Sequence, residues 1–198
     1  MLGGLLSRYD RLLITRPLVT KVASATLLSI GTDVTLQRLT LSQSSHDIQR
    51  TARQAAWSGP IMAPTMHAWM NVLAKLPAWG PLPAPVVSLA VDTFTLMPFS
   101  HVVYVAFLSG AEHGSAAHIK SDIRAKLGPL LQAAFVVIPP VMLINLWLVP
   151  LRYRVFFLNV TLGVGYGGYL NWLVNRASPE SAEAGRSKLP RRDSSSYS

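Results

Sequence analysis

Few residues in this 198-residue chain have side chains able to do chemistry, and they are scattered. It contains no cysteine, which removes disulfides, thiolate metal sites and cysteine nucleophiles together. His67 and His101 are conceivable ligands or proton carriers, but neither stands in a H-x-x-x-H or H-E-x-x-H arrangement. His113 and His118 are five apart in an expected loop, so no metal site is expected. Gly163, Gly165 and Gly168 have the spacing of a dinucleotide-binding motif, but they sit inside an apolar run with no preceding strand. Neither a phosphate loop nor a catalytic serine motif occurs. No enzymatic activity and no cofactor are expected. What remains is a set of polar residues in apolar surroundings: Asp33 with Gln37 four positions on and on the same helical face, then His67, Asp92, Asn145, Arg152 and Arg154.

The elements that must carry these residues follow from where charge is missing. Hydrophobic residues make up 50% of the chain and charged residues 14%, well below the roughly 25% of soluble domains. No Asp, Glu, Lys or Arg occurs within 54–74, 93–111, 127–151 or 155–175. Each run has about the length an α-helix needs to cross a hydrocarbon layer of ~30 Å. The runs are continuously apolar and not alternating, which disfavours a β-barrel. The excess of 18 Lys and Arg over 9 Asp and Glu, a net charge of +9, sits at span edges, turns and the tail. The partner it fits is the lipid bilayer and not a nucleic acid.

The expected fold class is therefore an all-α polytopic transmembrane bundle of four to five spans, forming one domain over 1–175. Residues 1–16 place Arg8, Arg11 and Arg16 among leucines and read as a basic amphipathic helix lying at the membrane surface. Segment one, 17–38, starts with Pro17 at a helix's first turn and is rich in small residues that permit close contact. A polar loop through His46, Asp47 and Arg53 leads to segment two, 54–76, where Pro60 and Pro64 should introduce kinks. Segment three covers 86–109, with Pro98 in its middle. A separate amphipathic stretch, His118 to Lys126, is expected to lie wet outside the membrane. Segments four, 129–150, and five, 155–175, are expected to form a tight antiparallel hairpin around Pro150, with Gly163 and Gly167 as a small-xxx-small contact. Residues 176–198 read as a disordered polar tail. Trp57, Trp79, Trp147 and Trp172 are expected at the interfaces, and Trp69 on the interior side.

From Tyr9 to Trp172 the sequence resembles the family of 22-kDa peroxisomal membrane proteins and the mitochondrial protein Mpv-17. The most specific part is Asn145 to Arg154, which is similar to the family's N-F-x-x-V-P-x-x-x-R pattern. Supporting matches are Tyr9 with Pro17, Asp33 with Gln37, Gly59-Pro60 followed by His67 and Trp69, Asp92 with Pro98, and Tyr169 to Trp172. Thr32, Thr93, Ile138 and Met142 depart from the pattern and mark a divergent member. The resemblance implies an integral membrane protein of the mitochondrial inner membrane, or alternatively of peroxisomes, with a channel-like or solute-permeability role. The alternative role is a structural or scaffolding protein that organises an organelle. A homo-oligomer or a membrane-protein partner fits either role.

Ionised groups at membrane depth cost about 2.5–3.5 kcal/mol each on insertion scales, so Asp33 and Asp92 need partners or water. The expectation is that Arg152 or Arg154 pairs with one of them across the bundle. Gln37, His67 and Asn145 would extend the pair into a polar seam. Such a seam either fixes helix register or lines a weakly selective pore.

Overall fold

The computed structural model describes residues 2–39 and 46–167. The tail, together with Tyr169 to Trp172, lies outside the described residues. Helix α1 (Leu2–Thr15) ends two residues before Pro17, whose ring disfavours a helical conformation in Arg16. Helix α2 (Pro17–Leu39) starts there, because a proline at a first turn gives up no hydrogen bond. Helix α3 (Ile48–Ala56) begins earlier than the expected segment two: the Asp47 side chain accepts from Arg50 N at 2.9 Å and caps it, so the end of the expected polar loop, 48–53, is helical. A π-helical stretch at Trp57–Met62 carries α3 into α4 (Ala63–Leu73). Pro60 sits inside this stretch, so the expected kink takes the form of a widened turn.

Helices α5 (Ala84–Phe94) and α6 (Leu96–His113) are separated at Thr95, at φ −122° and ψ −83°. Pro98 cannot donate to the Phe94 carbonyl and its ring crowds it, so the break falls between them. Gly114, at φ 63°, makes the left-handed cap from which the chain reverses into α7 (Ala116–Leu148). The 33 residues of α7 run without interruption through the stretch from His118 to Lys126, which is the first part of this helix and not a separate surface element. Lys126, expected on a wet face, is buried and paired with Asp122 at 3.2 Å, beside Arg50 and Arg53 of α3. Helix α8 (Leu151–Leu158) follows the Pro150 turn and continues as a second π-helical stretch, Asn159–Tyr166.

The protein is all-α. Two stretches are long and apolar enough to cross a bilayer, Ala84–His113 and Ala116–Leu148. Only 22% and 17% of their most apolar windows are buried, whereas the core helix of a water-soluble protein would be mostly covered. The exposed side chains include Phe94, Phe99, Val136, Trp147 and Leu148, an outer surface suited to lipid. The inner one centres on Met70, Leu73, Met97, Val105, Leu130, Met142 and Val155, contributed by α4, α6, α7 and α8. Helix α1 lies against this bundle through Tyr9, whose ring is 5.1 Å from that of Phe156, and through Asp10, which accepts from the Tyr153 hydroxyl.

Candidate functional site: a central cavity with two carboxylates

Helix α2, the stretch from α3 to α4, the α5–α6 pair, α7 and the segment from α8 onward all border one partly open cavity of about 220 Å³. Helix α2 presents Ala25, Ser29 and Asp33, the first π stretch Trp57 and Ser58, and the α5–α6 pair Asp92, Ser100, His101 and Tyr104. Ile138 and Met142 come from α7, while Asn159, Gly163, Tyr166 and Gly167 come from the last segment.

Asp33, only 1% exposed, anchors a dense network. Its Oδ2 accepts from Gln37 Nε2 at 2.7 Å and from Thr51 Oγ1 at 2.6 Å, and its Oδ1 lies 3.2 Å from Arg50 Nε. Gln37 also receives the backbone N–H of Asp47 at 2.7 Å, so the α2 face that carries both residues holds the start of α3. Next to this network Gln54 Nε2 donates to the Tyr104 hydroxyl at 3.0 Å. Asp92, 3% exposed, accepts from Trp69 Nε1 at 2.7 Å on Oδ1. His101 is held by the Met97 carbonyl at 2.7 Å and faces the Tyr166 hydroxyl at 3.3 Å.

The expected seam is thus divided. Asp33 and Gln37 stand together, but neither arginine reaches either aspartate. Arg152 is half exposed and lies 3.5 Å from Asp10. Arg154 donates to the Val149 and Leu146 carbonyls at 3.0 and 2.8 Å, satisfying the last turn of α7 across the Pro150 turn. The cation that meets Asp33 is Arg50. It comes from the stretch read as loop, and with α3 starting at Ile48 it sits in the first turn of a helix facing α2. His67 is bound to buried Lys21, 2.9 Å from its Nδ1, and stands apart from the cavity lining. Asn145 is fully buried, with its amide nitrogen 4.0 and 3.9 Å from the sulfurs of Met70 and Met142.

Gly163 and Gly167 border the cavity and do not form a close helix contact. A Cβ at Gly163 meets nothing within 4 Å, and one at Gly167 meets only the Leu162 carbonyl of its own segment, at 3.3 Å. The close approach is at Gly59, where a Cβ would lie 1.9 Å from Thr26 Oγ1. Trp57, expected at an interface, lines the cavity with its ring 5.3 Å from that of Tyr104. Trp79 and Trp147 are exposed, and Trp69 supports Asp92 from behind the lining. His113 closes α6 and His118 opens α7, their rings stacked at 5.0 Å. No group of three metal-ligating side chains occurs among the described residues.

A helical membrane bundle with a cavity bordered by buried carboxylates is the class of protein these features define. The model of the Mpv17 / PMP22 family matches residues 109–171. Protein SYM1 of Gibberella zeae is 32% identical over 83% of this chain and 94% of its own length. Protein sym-1 of Neurospora crassa is 28% identical over 85% and 98%. The mitochondrial inner membrane protein Mpv17 of Caenorhabditis briggsae is 28% identical over 79% and 86%. The chain belongs to the Mpv17 / PMP22 family. It is a protein of the mitochondrial inner membrane by this kinship, in a family that also has peroxisomal members. No solved structure gives a significant match.

Proposed function

We propose that the chain forms a weakly selective path for small solutes across the mitochondrial inner membrane, with the central cavity as its widest part. The observation that carries this reading is the cavity of about 220 Å³ at the centre of an apolar bundle, bordered by Asp33, Asp92, Ser58, Ser100 and His101. Polar side chains at membrane depth are expensive unless a partner, water or a passing solute meets them, and here open space lies beside them. The partners implied are the bilayer and, where the path is assembled from several copies, a second copy of this chain. No catalytic role is part of this reading.

A second reading, a structural or scaffolding protein, draws on the network around Asp33. Its hydrogen bonds and ion pair fix α2 against α3, as a register device does. Efflux from liposomes that contain the purified full chain separates the two. Release of a small uncharged sugar that falls several-fold in Gly163→Leu, where the added side chain has room beside the cavity, supports a path. Sealed vesicles together with a stable co-purifying membrane protein support a scaffold.

A further inference from the structure

Among the described residues no counter-charge meets Asp92, a buried carboxylate. Asp33 has Arg50, Asp10 has Arg152 and Asp122 has Lys126. Asp92 receives the indole N–H of Trp69 on Oδ1, and among the described residues no Lys, Arg or His contacts it. It is nevertheless one of the most enclosed polar residues in the bundle, and it borders the cavity. An ionised carboxylate inside a membrane protein is stable only with an opposite charge close by. Where the chain supplies none, the occupant of the cavity can.

The walls of the same cavity suit an organic cation better than a bare metal ion. Trp57 and Tyr104 stand with ring centroids 5.3 Å apart and Tyr166 adds a third aromatic side chain, while among the described residues no three His, Cys, Asp or Glu side chains gather to hold a metal ion. Aromatic faces attract ammonium groups, most strongly in a desolvated site. An apolar cavity of about 150 Å³ accepts benzene, so about 220 Å³ has room for one ring with a short charged arm. We propose that this cavity is a binding site for a small organic ammonium ion, with Asp92 as its counter-charge and the aromatic wall holding its apolar body. The proposal rests on the cavity and the lone carboxylate, and it stands whether or not the cavity conducts.

Equilibrium dialysis of the purified full chain in lipid nanodiscs tests this, with radiolabelled 2-phenylethylammonium against its uncharged counterpart 2-phenylethanol. The ammonium ion should bind at least about tenfold more tightly than the alcohol, and Asp92→Asn should abolish that preference. Gly163→Leu, which leaves Asp92 untouched and has free space for its first side-chain atom, should weaken binding of the ammonium ion several-fold. Equal binding of the two probes to the native chain overturns the proposal, as does an Asp92→Asn chain that keeps the preference. If Asp92→Asn does not fold, the preference in the native chain and its weakening in Gly163→Leu decide the matter. Ammonium binding without liposome efflux removes the permeation reading alone. Efflux without a preference for the ammonium ion removes this site alone.

Discussion

Replacing Gly59 by alanine places a methyl group 1.9 Å from Thr26 Oγ1, 3.1 Å from Thr26 Cβ and 3.4 Å from the Val22 carbonyl. Thr26 Oγ1 is already committed to that carbonyl at 2.9 Å, so moving it aside breaks a hydrogen bond and still leaves Cβ in the way. Overpacking of this kind costs about 1–3 kcal/mol, against which alanine returns up to about 1 kcal/mol of helix propensity. The matched control is Gly163→Ala, also in a π-helical stretch, where the new methyl meets nothing within 4 Å and only the propensity gain applies. The two variants should therefore differ by about 1–3 kcal/mol, with Gly59→Ala the less stable, or by several degrees in thermal midpoint for a chain of this size. Thermal unfolding in one detergent, followed by circular dichroism, measures the gap. Thr26→Ala removes the hydroxyl, so the double variant should recover most of the loss. Equal midpoints for the two alanine variants, or a double variant no better than Gly59→Ala, would refute the close contact between α2 and the first π stretch.

Arg50→Leu should destabilise the chain by about 3–5 kcal/mol, because it strands the Asp33 carboxylate at 1% exposure. Adding Asp33→Asn should restore a large part of the loss in the same melts, and a double variant as weak as Arg50→Leu contradicts the pairing. The exchange Asp92→Arg with Arg152→Asp should not restore stability lost in either single variant, since Arg152 lies on Asp10 and Asp92 on Trp69; rescue would show a pair that the fold does not contain. The Tyr153 hydroxyl is held above its ordinary value of 10.0, first because its hydrogen bond to Asp10 retains the proton. A pKa raised by folding stabilises fully below the unfolded value and is lost as pH rises through the folded one. The docking of α1 on α8 should therefore persist at neutral pH and weaken above about 10. A fluorophore on Leu12→Cys, in a chain otherwise free of cysteine, reads the release, and a Tyr153→Phe chain with the same alkaline transition counts against it.

The positions of the helices were legible in the sequence because backbone chemistry acts locally. Pro17 and Pro150 mark breaks, although α7 runs through Pro129, Pro139 and Pro140, and charge-free runs mark what the bilayer tolerates. The pairing of the charges was not legible, because helical spacing says which residues share a face and nothing about which faces meet. Asp33 and Gln37 could be placed together by their four-residue interval, but their partner depended on where α3 begins. That start did carry a signal, Asp47 three positions before Arg50, the N-cap pattern that turns an apparent loop into a first turn. The continuity of the stretch from His118 to Lys126 with the span that follows was missed for the converse reason. Gly128 and Pro129 look like a boundary, yet α7, packed along α6, runs through both.

The two π-helical stretches explain why the glycine pattern pointed to the wrong place. In an α-helix, residues four apart drift by about 40° around the axis with each step. A π turn takes in an additional residue, so positions four apart fall short of a full turn, and a mixture of the two keeps them in line. The cavity-lining residues follow that interval: Gln54, Ser58, Met62 and Met66 in one segment, Asn159, Gly163 and Gly167 in the other. Each stripe thus stays turned inward longer than a regular helix would allow. Gly163 and Gly167 belong to such a stripe, and a Cβ on either meets no neighbouring helix. Gly59, one position after Ser58, falls outside the stripe and faces α2, where a side chain would collide. One sequence device, a small residue within an apolar span, therefore serves two purposes here, and the widened turn decides which.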